Sequence, residues 1–328
     1  MHLRKSTAVA VALATILVIA GCASPAADPA SGDVIVIEHA FGETSVPVDA
    51  ERVVTLGWGS TDAAIALGVV PVAIPYDSYA GDENGVLPWV KDAVEDLGAP
   101  LPTVLPDAPE EPPYDEIDAA DPDVILAVYS GITQEQYDLL SEIAPVVAYS
   151  GIAWSTPWRD LISTVGTALG KDAEAATVIA GIEGEIAAAA EAHPEFAGTS
   201  IAAVWDTAGT FYVYKTADPR VEFLLDLGFV NAPSVDELAN GDATFYYTLS
   251  YEQLDRLSSD VVLSYSDSQE GADSFLTSPA TSVIPAVQAG HVAQLVGTEY
   301  ISAVSPPTAL SIPWGLDQLV SALAAAVA

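Results

Sequence analysis

The sequence is poor in positive charge: nine Lys and Arg stand against 46 Asp and Glu, a formal charge of −37 over 328 residues. Phosphate backbones and anionic lipid surfaces need basic residues, so nucleic acid is excluded as a partner and no electrostatic membrane adsorption is expected. Cysteine occurs once, at Cys22, which excludes intrachain disulfides and thiolate metal clusters. Four histidines, His2, His39, His193 and His291, are scattered with no i, i+4 pair. No imidazole cage is expected, and no direct metal site or cofactor. There is no Gly-x-Ser-x-Gly elbow, no Ser-x-x-Lys pair, no His-Glu-x-x-His and no phosphate loop, and no pair of carboxylates stands out. A binding protein is therefore expected and not an enzyme.

What is present begins with a targeting segment. Arg4 and Lys5 precede an apolar run, Ala8 to Ala20, that is short for a membrane span. The run closes on Ile19-Ala20-Gly21-Cys22, which resembles the lipobox of bacterial lipoproteins. That resemblance makes residues 1–22 a signal peptide and Cys22 the acylated first residue of the mature chain, tethered to the outer face of a membrane. Residues 23–33, small and polar with two prolines, read as a flexible tether.

The body of the chain contains one stretch twice. Tyr114 to Val128 and Tyr251 to Tyr265 align without a gap, 137 positions apart. Tyr114/Tyr251, Asp118/Asp255, Asp123/Asp260, Val124/Val261 and Leu126/Leu263 are identical. Each copy reads as a short helix with an acid in its first turn, a polar corner and an apolar β-branched strand. A repeat at that distance has the period of a small domain, and the length prior also suggests two domains. Between the copies, Asp172 to Ala192 is Ala-rich and ends at His193-Pro194, so it reads as one long helix and a stiff spacer. The expected architecture is α/β: two Rossmann-like lobes, 34–170 and 194–328, joined by a connecting helix over 171–193. Arg52 to Leu56 and Val69 to Ile74 read as strands, with Ser60 or Thr61 capping a helix between them that Gly68 closes. Thr133 to Gln136 is a capping-box pattern, and so is Ser250 to Gln253.

An ordered series of segments resembles the iron-siderophore substrate-binding proteins of ABC transporters. It comprises Arg52 to Leu56, Ala66 to Val72, Asp121-Pro122-Asp123-Val124-Ile125-Leu126, Tyr137 to Val147, Phe223 to Phe229 and Ile284 to Val292. The resemblance implies two α/β lobes around a ligand cleft, a lipid-anchored extracytoplasmic receptor, a ferric siderophore as ligand and an ABC permease as partner. It also implies that one acid per lobe docks permease arginines. Carried over by position, these are Glu252 and Asp115, the latter one methylene shorter than the usual Glu, with Glu116 as a neighbouring substitute. A monomer is expected.

In parallel α/β sheets, ligands gather beyond the carboxyl ends of strands. Aromatic residues expected there are Trp58, Tyr76, Tyr79, Tyr129 and Trp154 in the first lobe. In the second they are Trp205, Tyr212, Tyr214, Tyr246, Tyr247, Tyr265 and Trp314. Such residues offer broad rigid contact to a bulky ligand. Lys215 and Arg220 flank a strand-end loop and suit a negative chelate. With so little positive charge, a hydroxamate chelate is favoured over a triply anionic catecholate. Haem or cobalamin on the same architecture is the alternative, although His291, at the head of a strand, is misplaced as a haem ligand. A lipid-anchored enzyme is less favoured still.

Overall fold

A computed structural model describes residues 33–108 and 110–327. The signal segment with Cys22, and the tether as far as Gly32, lie outside the described residues. No helix among the described residues is long and apolar enough to cross a membrane.

The chain enters through an antiparallel hairpin, β1 (Val34–His39) with β2 (Gly42–Pro47). Five short strands then form a wholly parallel sheet: β3 (Val53–Thr55), β4 (Ala73–Ile74), β5 (Thr103–Val104), β6 (Val124–Ala127) and β7 (Val146–Ala148). Their order is β5-β4-β3-β6-β7. Every residue of β3, β6 and β7 is buried, as apolar runs without alternation require of a sheet covered on both faces. The second sheet is mixed. It contains β8 (Ser200–Thr207), β9 (Thr210–Tyr214), β10 (Val230–Asn231), β11 (Tyr246–Leu249), β12 (Val261–Ser266) and β13 (Val292–Val296). Its order is β11-β9-β8-β12-β13, with β10 also beside β8. The β8–β9 hairpin turns at Ala208 and Gly209, both with positive φ.

The two copies of the repeat occupy matching places. Tyr114–Ala119 is α-helical and leads into β6, while Tyr251–Arg256 is a 3₁₀ helix leading into β12. Ile117 and Leu254 are fully buried beneath these turns. The corner aspartates do the same work. Asp123 Oδ2 accepts from the backbone N–H of Glu51 and Arg52, at 2.9 and 2.8 Å, fixing the chain as it enters β3. Asp260 Oδ2 accepts from Ser200 N at 2.8 Å and Ser200 Oγ at 2.6 Å, fixing the start of β8. Each copy thus sets the register of its strand against the central strand of its own sheet.

Helix Asp172–Ala192 links the two sheets as a continuous 21-residue element. Its Ile182 and Ile186 are buried in one apolar cluster with Val124, Leu126 and Leu161 of the first part of the chain and Leu263, Leu295 and Leu323 of the second. From Asp33 onward the described chain is one compact unit, so the lobes share a core across the connector.

Local details depart from the sequence reading in three places. Helix Ser60–Ala66 has Gly59 at its N-cap with φ of 72°, and Ser60 and Thr61 are buried in its first turn without capping it. The strand expected over Val69 to Ile74 shrinks to Ala73–Ile74. The N–H of Val69 returns to Ala64 O at the end of the helix, and Pro71 has no N–H to give a ladder. At Ser250 the side chain accepts from the N–H of Glu252, and no reciprocal box forms. The capping box at Thr133 and Gln136 forms as read. Short helices at Pro233–Leu238, Gln269–Thr277 and Thr298–Ala303 carry too few residues for their periodicity to stand out in the sequence.

Candidate ligand-binding cleft

The order of the first sheet reverses between β3 and β6, where doubly wound sheets open a crevice. Two loops meet there. Trp58 N donates to Tyr129 O at 2.9 Å. Gly57 permits this approach: its φ is 69°, and a Cβ at that position would lie 2.3 Å from the Tyr129 carbonyl oxygen. The turn throws Trp58 outward, where it is 50% exposed. Trp154 joins it with a φ of 58°, an uncommon backbone for so bulky a residue. Its N–H donates to Ser130 O at 3.1 Å, and its carbonyl accepts from Tyr129 Oη at 2.8 Å. Its indole lies across Gly131, where any side chain would collide with it. The Trp58 and Trp154 rings stand 4.9 Å apart, and Trp58 stacks on Tyr129 at 6.1 Å. Strained backbone of this kind is held by its surroundings and concentrates at functional sites.

The second sheet supplies the facing wall. Trp205 near the end of β8, Arg220, Phe245 and Pro306 line, with Trp58, Tyr129 and Trp154, an outer chamber of about 330 Å³. An inner chamber of about 390 Å³ shares Trp58, Trp205, Ser305 and Pro306 with it. The inner walls are Ile74 to Tyr79, Leu87, Trp89, Val90, Ile301 and Thr308, with Asp62 among them. Two hydrogen bonds cross between the lobes at this chamber. Tyr79 Oη donates to the Asp267 carboxylate, and Thr308 Oγ1 donates to Asp62.

The electrostatics are unusual for a cleft with an arginine in it. Asp218 is fully buried and grips Arg220 with both carboxylate oxygens, at 2.8 and 2.7 Å. The guanidinium also lies 3.6 Å above the Tyr214 ring. Burial opposes its charge, but Asp218 more than offsets this and holds the pKa above the ordinary arginine value. The pair is locally neutral. Burial also pushes the Asp62 carboxyl up to about 6, against the pull of its bonds from Thr308 and Trp89, with the Asp77 charge adding to the rise. Burial and the Asp267 charge raise the Tyr79 phenol.

The structure therefore brings Trp58, Tyr76, Tyr79, Tyr129, Trp154, Trp205 and Arg220 to one cleft. It sets the other expected ligand contacts elsewhere. Tyr214 and Tyr265 are buried beneath Arg220 and pack edge to face at 5.8 Å. Tyr212 and Tyr246 pack against each other at a tilt, 5.6 Å apart, and line neither chamber. Tyr247, the next residue along β11, points the opposite way into a separate core. Lys215 spends its ammonium on the Ala243 carbonyl at 2.6 Å. Trp314 packs between Trp89 and Tyr300, behind the inner chamber. The sequence reading missed Asp62, Asp218, Phe245, Pro306 and Thr308. Only Asp218 had a local signal: Asp-Pro-Arg is an N-cap with proline at the first helical position, and its side chain does cap helix Pro219–Asp226.

Asp115, Glu116 and Glu252 are exposed in the first turns of the two repeat helices. Glu252 borders a separate polar hollow of about 860 Å³ in the second lobe. His291 bonds to the Asp260 carbonyl at the start of β12, far along the strand from the cleft.

Comparison with known proteins converges on this architecture. The family model described as periplasmic binding protein matches residues 53–297. A curated relative, "Probable siderophore-binding lipoprotein YfiY" of Bacillus subtilis (strain 168), is 24% identical over 295 residues, 85% of this chain and 86% of its own. The iron uptake ABC transporter substrate-binding protein PiaA of Streptococcus pneumoniae TIGR4 is 34% identical with a TM-score of 0.78, over 89% of this chain and 99% of its own. PiaA in complex with ferrichrome aligns at 35% identity and a TM-score of 0.80, over 89% and 98%.

Proposed function

We propose a function from one established premise: the chain belongs to the periplasmic binding protein family. It is an extracytoplasmic solute-binding protein, anchored through Cys22, that captures a ferric hydroxamate and hands it to the permease of an ABC transporter. Residues 34–170 and 194–328 act as the two lobes, with 171–193 as the link between them.

The observation that carries this reading is an aromatic cleft whose arginine is already neutralised. Trp58, Trp154, Trp205 and Phe245 offer flat area to a bulky chelate. Arg220 is committed to Asp218, so the cleft has no spare positive charge for a triply anionic catecholate or a polycarboxylate. A neutral hydroxamate chelate needs none. It meets aromatic faces, and the guanidinium N–H groups not used by Asp218 remain as donors to its oxygens. The PiaA relative holding ferrichrome supports the same ligand class. Haem is less well served: among the described residues no histidine or methionine lines either chamber, and of the three lining tyrosines the Tyr79 and Tyr129 hydroxyls are engaged with Asp267 and the Trp154 carbonyl, leaving Tyr76 alone as an axial ligand.

The test is a tryptophan-quenching panel of ferric hydroxamates, catecholates, carboxylates, haem and cobalamin. Saturable quenching by a neutral ferric hydroxamate, well ahead of the anionic chelates, is expected. Silence toward every ferric hydroxamate, with tight binding of haem or cobalamin, overturns the reading.

A further inference from the structure

We propose that the inner chamber is a subsite for an alkylammonium arm of the chelate, and that the Asp62 carboxylate receives the ammonium. This assignment rests on the siderophore reading above and narrows its substrate class to hydroxamates that carry a cationic side arm.

The walls suit a methylene stem. Ile74, Leu87, Trp89 and Val90 are apolar, and the chamber joins the outer one along Trp58 and Trp205. Asp62 lines this space while only 2% exposed. Its hydrogen bonding is one-sided. Trp89 Nε1 donates to Oδ1 at 2.7 Å, and Thr308 Oγ1 donates to the same Oδ1. Besides these, only the backbone N–H of Asp62 itself bonds the carboxyl, and no other described side chain donates to Oδ2. An asparagine would hold both donors equally well through its single carbonyl oxygen, so joining the lobes does not require a carboxylate. Yet a buried, unpaired carboxylate is costly and persists where a partner charge offsets it.

No such partner lies in the chamber. Among the described residues no Lys, Arg or His lines it. Asp77, the other acid on its wall, turns Oδ1 to the backbone N–H groups of Tyr79, Ala80 and Gly81 and only adds negative charge. The Tyr79 hydroxyl is taken by Asp267. The missing cation must therefore arrive with the ligand. A primary ammonium on a short alkyl chain fits: its stem packs on the apolar wall, and its head donates to Oδ2 in a charge-assisted hydrogen bond.

The experiment compares three ferric trihydroxamates by tryptophan quenching of the mature protein. One is linear with a terminal primary ammonium, one is the same molecule with that amine acetylated, and one is cyclic and uncharged. The wild type is expected to bind the ammonium chelate about tenfold or more tighter than its acetylated form, the worth of one charge-assisted hydrogen bond. In Asp62→Asn that ratio is expected to fall to near one. A ratio near one in the wild type overturns the assignment, and so does an undiminished ratio in Asp62→Asn. The wild-type comparison decides alone should the variant fail to fold. If the cyclic chelate binds while the wild-type ratio is one, only the arm subsite falls. If none of the three binds, the hydroxamate reading falls with it.

Discussion

Asp62 shows how a single residue changes meaning once its surroundings are known. In the sequence, Ser60-Thr61-Asp62 is a polar cluster at a helix start, the place where such residues usually serve as caps. In the structure Gly59 occupies the cap, and Asp62 is buried against Trp89 and Thr308. Its folded pKa is raised to about 6 from the ordinary 3.8. A carboxyl raised in this way leaves stability intact below the unfolded pKa, loses it as pH climbs toward the folded pKa, and carries the full penalty above that. The penalty above pH 6 is roughly 3 kcal/mol. Asp62→Asn should therefore be more stable than wild type at pH 7.5, by up to roughly that amount, and nearly equal to it at pH 4. Denaturant unfolding at the two pH values checks this, and a variant weaker than wild type at pH 7.5 would refute it. Arg220 shows the same lesson with the opposite charge. It reads as an available cation in the sequence, but Asp218, two residues earlier, reaches forward and neutralises it.

At the scale of elements, the repeat is the best-read feature of the chain. Its corner aspartates were identical in the two copies, and both tie a strand start to a central strand. Such a role survives in sequence because it is local: a carboxylate, a corner and a neighbouring N–H. What the alignment concealed is the different winding of the two helical turns, α at Tyr114–Ala119 and 3₁₀ at Tyr251–Arg256. The exposed first-turn acids sit on those turns. For Glu252→Ala, ferric hydroxamate affinity should match wild type while uptake into cells falls. Transport assays beside quenching titrations test this, and unimpaired uptake would remove the docking role. The strand β11 illustrates a legible rule applied without knowledge of phase. Tyr246 and Tyr247 must face opposite ways, but only the pairing with β9 decides which enters the core.

For the whole molecule, the connector is more than a spacer. Ile182 and Ile186 join a core that runs into both lobes, and Trp89 and Val90 meet Ala303 in a second apolar cluster behind the inner chamber. Opening the cleft widely would expose both, together with the Asp62–Thr308 and Tyr79–Asp267 contacts. Hydrophobic burial opposes such motion in proportion to the area exposed. Small-angle scattering should accordingly show little change in radius of gyration when ligand is added. A large compaction would mean that the lobes hinge freely.

The sequence by itself determined the α/β class, the duplicated helix–corner–strand unit, the 21-residue connecting helix and the aromatic strand ends on which Trp58, Tyr129 and Trp205 lie. These follow from periodicity, caps and apolar runs, which act over a few residues. Tertiary structure alone decided which aromatics face the cleft, that Lys215 is spent on a carbonyl, and that Asp62 meets Thr308, 246 positions later in the chain. Burial and charge pairing arise from contacts between distant segments, and one residue of strand phase or one turn of helix reverses them.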